Sequence, residues 1–239
     1  WFEDNSSVDS KFKKAVVKGV SAKVITVAQL GGDCYPTTPI GINLPTANWI
    51  RKDHGSKSVT MENITYAYDQ ASSGSGMLEE FCYSDDEIKR AKEFGPLAGN
   101  LHTDLHECLG HGSGQLLPGV TPEKLKNYHS PIEEARADLF ALYYLADPKM
   151  IELGLIPSVD VAWAEYDGYI RNGMMTQLTR IELGKSIEQA HMRNRALIAH
   201  WCYEKGAAQN IIEKKTRDNK TFYVINDYEK LRGLFGELL

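Results

Sequence analysis

A mainly α-helical fold with a few short strands is the class this sequence predicts, on three observations. Helix-period stretches framed by capping and breaker signals run from Ser84 to Ala146 and again from Ser158 to about Lys215. The β-branched or extended runs are short: Val24–Val27, Ile40–Leu44 and Thr221–Ile225. The 239 residues are 42% hydrophobic and 25% charged, the balance of an ordinary globular chain, enough for one large domain or two small ones.

Taken in order, residues 9–20 are lysine-rich with a helix-like pattern and predict a surface helix. Val24–Val27 predicts a strand. Gly31, Gly32, Pro36 and Pro39 then predict a long loop, and Ile40–Leu44 a second extended piece. Ser72–Gly76 reads as a turn. Ser84-Asp85-Asp86-Glu87 is a capping box, so a helix starts there; Gly95-Pro96 should end it. A new helix is expected from about Leu97. Thr121-Pro122-Glu123 starts a short helix, with threonine as cap and proline in the first position. Ser130-Pro131-Ile132-Glu133 offers another capping box, for a helix that stops before Asp147-Pro148. Its apolar positions Ala137, Phe140, Ala141 and Tyr144 give it a buried face. Beyond Ser158, Gly168, Gly173 and Gly184 are candidate joints. The chain closes on an amphipathic helical pattern. Both termini look cut, so residues 1–239 are expected to form a single region of a longer protein.

The net charge of −5, without a basic stripe, argues against a nucleic-acid partner. No apolar run approaches the ~20 residues of a membrane span, and no signal segment opens the chain. Cys34, Cys82, Cys108 and Cys202 form no C-x-x-C pair. Independent reduced thiols point to the cytoplasm. A monomer is expected. Cys108 is read as a small buried hydrophobe rather than a nucleophile.

The chemistry concentrates in His106-Glu107-Cys108-Leu109-Gly110-His111 and the acidic cluster Glu133-Glu134-Ala135-Arg136-Ala137-Asp138. Two imidazoles and a carboxylate suffice for one catalytic Zn²⁺ with a position left for water. Glu107, beside the first histidine, stands where metallopeptidases keep a general base. The histidines are five apart, about 140° around an ideal helix instead of the about 40° of an i, i+4 pair. They can share a metal only if the helix is distorted; one extra residue in a turn is what a π-bulge accommodates. Gly110 lowers the cost of that distortion. His102, one turn before His106, is read as a supporting or surface residue. Glu134 and Asp138 are four apart and share a helix face, so one carboxylate can meet the metal while the other meets a ligand imidazole. Taken alone, the acidic cluster would be a solvated helix start; placed after two histidines it reads as a ligand source. Spacing does not decide which glutamate binds.

His106–His111 with the following Gly112-Ser113-Gly114 resembles the zinc motif of the dipeptidyl peptidase III (M49) metallopeptidase family. Glu133–Asp138 resembles its second motif, Glu-Glu-x-Arg-Ala-Glu/Asp. Gly41-Ile42-Asn43-Leu44-Pro45 is similar to its substrate-binding strand, and Gln189-Ala190-His191-Met192 with Arg195 to its downstream histidine segment. Cys108 matches Bacteroides-type members, where animal members carry leucine. The matches run from about residue 24 to the end of the chain.

That resemblance implies Glu134 as the carboxylate ligand beside His106 and His111. It implies His191 as a hydrogen-bond donor to the developing oxyanion. Residues 24–45 would form a peptide-binding segment, with Gly41 and Asn43 pairing a substrate as an added strand and Arg51 and Arg195 contributing contacts. Thr46 departs from the family, which often has asparagine there. Asp138 and Glu133 are expected to orient the ligand imidazoles by accepting their second ring N–H. The implied activity is zinc-dependent release of N-terminal dipeptides from short peptides. The chain would be the helical catalytic lobe of a two-lobed enzyme, binding zinc but turning substrate over poorly alone. The rivals are another zinc aminopeptidase or dipeptidase, and a peptide-binding zinc module without turnover. Glu107 argues against the module, because a structural zinc site needs no base.

Overall fold

The computed structural model describes residues 1–14, 21–32, 34, 38–72 and 74–239, apart from the side chains of Asn48 and Lys52. The mainly helical expectation holds. Strands β1 (Ser21–Ile25), β2 (Gly41–Leu44) and β3 (Lys57–Met61) form a sheet in the order β1-β3-β2. β3 runs parallel to β1 and antiparallel to β2, with Gly41 opposite Thr60 and Asn43 opposite Ser58. β2 is therefore an edge strand among the described residues. Helix α1 (Asn48–His54) joins β2 to β3, and α2 (Glu62–Ser72) leaves β3 directly. This sheet is tied to the helices by side-chain hydrogen bonds: Thr60 donates to Asp104 at 2.7 Å, and Asn43 Nδ2 donates to the Glu107 carbonyl at 3.1 Å.

After the short α3 (Met77–Phe81) comes α4 (Asp85–Leu105), capped by the Ser84 hydroxyl on the Glu87 amide. Helices α5 (His129–Leu145), α6 (Pro148–Glu152), α7 (Asp160–Met174), α8 (Ala190–Lys205) and α9 (Tyr228–Leu238) follow, with a hairpin of β4 (Ile212–Arg217) and β5 (Lys220–Ile225) before α9. Leu142, Leu145, Tyr166, Ile170, Ile198, Leu231 and Phe235 pack from α5, α7, α8 and α9 into one buried core. Removing such side chains from water is the main force holding the helices together. Among the described residues no helix is long and apolar enough to cross a membrane.

Several local expectations give way to tertiary packing. Residues 10–12 form one 3-10 turn rather than a longer helix, and residues 15–20 lie outside the described residues, as does Pro36 of the expected loop. Strand β1 begins earlier than expected and stops at Ile25. Pro96 does not end a helix: α4 runs through it. The proline removes one N–H, but Pro96 and Lys92, whose carbonyl loses its partner, are both exposed, so water can take the bond. The opposite face is clamped by buried Ala98 and by Arg90, whose Nε reaches Asp167 of α7 at 3.0 Å.

Ser130 is not a cap. The chain enters α5 at His129 from a 3-10 segment, Pro122–Tyr128, that bends at Lys126. Gly168 and Gly173 lie within α7 and are not joints. A Cβ at Gly173 would stand 2.4 Å from the Arg195 carbonyl oxygen, so glycine lets α8 approach. The helical pattern expected up to Lys215 ends at Lys205, and β4 takes its place. Asp218 and Asn219, at φ 51° and 60°, form the two-residue reversal that pairs β4 with β5.

Candidate metal centre

The i, i+5 spacing is met by a change of helix type. At the end of α4 the residues His106–Gly110 form a π turn, closed by the His111 N–H on the His106 carbonyl at 2.9 Å. The turn brings both imidazoles to one side, with ring centroids 4.6 Å apart. Gly110 permits it for a packing reason as well as a backbone one. A Cβ there would lie 2.6 Å from the Cα of Ala137, so α5 crosses directly over the turn. This crossing delivers Glu133, Glu134 and Asp138 to the histidines.

Side-chain nitrogens of His106 and His111 and a carboxylate oxygen of Glu134 lie within 4.8 Å of one another. Glu134 Oε2 is the focus: it stands 3.2 Å from His106 Nε2, 3.4 Å from His111 Nε2 and 3.4 Å from His191 Nδ1. It is buried and accepts no hydrogen bond of proper geometry. A buried carboxylate oxygen facing imidazole nitrogens without a satisfying bond has the chemistry of a divalent-metal donor set, so these residues fit such an ion.

The remaining ring nitrogens are committed. His106 Nδ1 lies 2.6 Å from Asp138 Oδ1, and His111 Nδ1 lies 3.0 Å from Glu133 Oε1. An ionised carboxylate only accepts, so both Nδ1 atoms donate and both Nε2 atoms turn toward Glu134. Burial would raise the carboxylates, but their hydrogen bonds win. His111 and Arg136 hold Glu133 down to about 2, and His102 and His106 hold Asp138 well below the usual range. Burial also opposes the charge on Glu134, which is nonetheless lowered by the facing His106 and His111 imidazoles. Burial opposes the charge on His106, yet Asp138 and Glu134 push it up to about 9.

Glu107 is buried beside the cluster, and its Oε2 has no hydrogen-bond partner. Burial raises its pKa above the ordinary carboxylate value. Its carboxylate occupies the space over Gly41: a Cβ on Gly41 would stand 2.9 Å from Glu107 Oε1. His191, in the first turn of α8, is partly exposed; its ring lies 6.1 Å from that of His106 and its Nδ1 faces Glu134 Oε2 at 3.4 Å. Burial also raises the Cys108 thiol, which fits its reading as an inert packing group.

These residues open on a cleft of about 1520 Å³, which Gly41, Asn43 and Arg51 also line. Asn43 does not offer its amide to the cleft: it is 6% exposed, and its Nδ2 donates to Ser58 at 2.8 Å and to the Glu107 carbonyl. Arg51 holds the β2 segment, donating to the Pro45 and Asn43 carbonyls. Arg195 lies one turn beyond His191, half-buried, and does not line the cleft.

Several partners have no signal in the sequence. Tyr169 and Asn194 donate to Asp138 Oδ2 at 2.7 and 2.9 Å. His102, by contrast, was offered by the sequence as a supporting or surface residue, and it lies 3.1 Å from Asp138 Oδ1. Arg136 grips Glu133 through both oxygens, at 2.7 and 3.0 Å; here the i, i+3 spacing was a signal. The N-terminal segment braces the loop after His111: Glu3 accepts from the Gly114 amide at 3.0 Å, and Lys14 donates to the Gly112 carbonyl at 2.7 Å.

A profile of peptidase family M49 matches residues 26–129 and 118–236. Nudix hydrolase 3 of Arabidopsis thaliana is 29% identical over 250 residues, covering 99% of this chain and 28% of that protein. Dipeptidyl peptidase 3 of Mus musculus is 25% identical over 202 residues, covering 70% of this chain and 27% of that protein. The structure of DPP III from Caldithrix abyssi superposes with a TM-score of 0.69 at 23% identity, over 99% of this chain and 43% of that one. The chain thus spans less than a third of the length of these curated relatives, and their names describe proteins of which it matches a part.

Proposed function

The chain belongs to peptidase family M49, and from that premise we propose that it carries the zinc-binding catalytic machinery of a metallopeptidase that releases N-terminal dipeptides from short peptides. The observation that carries the reading is the buried, unsatisfied Glu134 Oε2 facing His106 Nε2 and His111 Nε2 at 3.2 and 3.4 Å, with Glu107 alongside. His106, His111 and Glu134 would hold one zinc ion. Bound there, zinc would supply Lewis acidity, making water nucleophilic near neutral pH.

The chain's own residues do the rest. Glu107 accepts the proton of the attacking water at its unpartnered Oε2 and delivers it to the leaving amine. His191, beside His106 and Glu134, donates a hydrogen bond to the oxyanion. Asp138 and Glu133 hold the ligand imidazoles in the tautomer that presents Nε2. A peptide lies along β2. Met61 N–H bonds to the Ile40 carbonyl at 2.8 Å, so Ile40, Ile42 and Leu44 face β3 and the backbone groups of Gly41 and Asn43 face outward. Arg51 takes the Asn43 carbonyl, leaving the Gly41 N–H and C=O and the Asn43 N–H to pair with substrate. Asn43 and Arg51 thereby act by shaping the strand, and Arg195 serves as a neighbour of His191. The dipeptide product is supported by the name of the mouse relative.

The test is a pair of variants. Glu134→Ala should lose tightly held zinc. Glu107→Gln should keep zinc at one ion per chain and lose hydrolysis of a peptide with a fluorogenic amine after its second residue, assayed in the full-length protein. Equal turnover by wild type and Glu107→Gln would overturn the mechanism. Undiminished zinc in Glu134→Ala would overturn the ligand set.

A further inference from the structure

Beneath the candidate metal ligands lies a buried polar network of which the hydrolytic mechanism uses only the bond between Asp138 and His106. Its centre is Asp138, all four of whose lone-pair directions are taken. Oδ1 receives His106 Nδ1 at 2.6 Å and His102 Nε2 at 3.1 Å, and Oδ2 receives Tyr169 Oη at 2.7 Å and Asn194 Nδ2 at 2.9 Å. The donors come from α4, α7 and α8, and the acceptor from α5. Asp138 and Asn194 are fully or almost fully buried, so no water competes for these bonds.

His102 holds a particular place here. It sits four residues before His106, on the regular part of α4, so both imidazoles lie on one face and reach the same carboxylate oxygen. Its second nitrogen, Nδ1, lies 3.0 Å from Glu165 on α7. It also stacks on Tyr169 at a centroid distance of 5.8 Å and on His106 at 6.2 Å. The ring is therefore held by its Nε2 bond to Asp138 and by its stacking neighbours, while Nδ1 faces Glu165 without hydrogen-bond geometry. His102, His106 and Asp138 could by distance alone form a metal group. The four donors on Asp138 argue otherwise, because a cation there would displace N–H and O–H groups that have no other buried acceptor.

We propose that His102 is a positioning residue for the metal centre: by holding Asp138 Oδ1 from one side while Tyr169 and Asn194 hold Oδ2, it keeps Asp138 aimed at His106 Nδ1 and so keeps His106 Nε2 directed at Glu134. A carboxylate held at one oxygen only can rotate about its Cβ–Cγ bond. Held at both, it transmits the packing of α7 and α8 to the orientation of a ligand imidazole. Partners of this kind are commonly worth about 10- to 100-fold in metal affinity. The inference rests on the zinc reading above.

The test separates the two nitrogens of the ring. In His102→Gln the amide nitrogen falls near the place of Nε2 and can still donate to Asp138. In His102→Asn it falls near the place of Nδ1 and can donate only toward Glu165. Zinc affinity is measured by chelator competition, with Glu134→Ala in parallel and thermal unfolding of each metal-free chain recorded. The expected result is near-wild-type affinity for the glutamine variant and roughly a 10- to 100-fold loss for the asparagine variant, at similar metal-free unfolding temperatures. A Co²⁺-loaded asparagine variant should also show a shifted ligand-field spectrum. Equal affinities for both variants and wild type would overturn the role, as would losses that merely follow the unfolding temperature. Wild-type zinc affinity in Glu134→Ala would instead mean that the zinc reading itself has failed.

Discussion

Gly110→Ala tests the crossing of α5 over the π turn, the contact on which the whole centre depends. The new methyl would stand 2.6 Å from the Cα, 2.7 Å from the Cβ and 2.9 Å from the carbonyl oxygen of Ala137. Carbon atoms pack at roughly 3.5–4.0 Å, so the two elements must part by about 1 Å. Ala137 is fully buried in mid-helix, and two of the three contacts are with backbone, which cannot swing aside. Overpacking of this kind costs about 1–3 kcal/mol. For a chain of this size that lowers the unfolding temperature by roughly 2–12 °C. Ala137 lies between Glu134 and Asp138, so the displacement also carries both carboxylates away from the histidines, and zinc affinity should fall with stability. Gly99→Ala, on α4 with nothing within 4 Å of the added methyl, is the control. It should be neutral or stabilising by about 0.5–1 kcal/mol. Thermal unfolding of the metal-free chains and chelator competition read both effects. A Gly110→Ala chain that unfolds with wild type and binds zinc equally well would refute the reasoning.

Other consequences are open to measurement. In Gly41→Ala the methyl would meet Glu107 Oε1 at 2.9 Å and Thr103 Cγ2 at 3.0 Å. Those are side-chain atoms that can yield, so the fold should survive while the base is displaced: kcat of the full-length protein should drop at unchanged unfolding temperature and zinc content, and an unchanged kcat would count against Glu107 as the base. Zinc uptake near pH 7 should release protons, because burial disfavours the charged His106 but Asp138 and Glu134 raise it to about 9, and a metal ligand must be neutral. Affinity should therefore rise with pH up to about 9; calorimetry in buffers of different ionisation enthalpy reads the release, and an affinity flat across that range would contradict it. The sign for folding is opposite. A raised histidine stabilises the metal-free chain fully below its ordinary 6.5, and that contribution is lost as pH rises through about 9.

What the sequence determined by itself is what nearest neighbours along the chain decide. Two histidines five apart that must share a metal, with glycine before the second, demand a π turn, and Ser84 followed by Glu87 demands a helix start; both are present. The short extended runs at Ile40–Leu44 and Thr221–Ile225 became strands for the same local reason, and Asp147-Pro148 closed α5. Asp218-Asn219 was a legible reversal that should have revealed β4.

Only the tertiary structure decided the rest. Pro96 could remain within α4 because its exposed face leaves one carbonyl to water while the buried face is held by α7. Glu133 left its expected cap because Arg136 and His111 offer stronger, charged partners. Asn43 turned inward to the Glu107 carbonyl, and Tyr169, Asn194 and His102 converged on Asp138. Sequence spacing encodes which residues share a face of one helix. It does not encode which faces of four different helices meet, and that meeting, driven by the burial of their apolar sides, sets the direction in which each imidazole points.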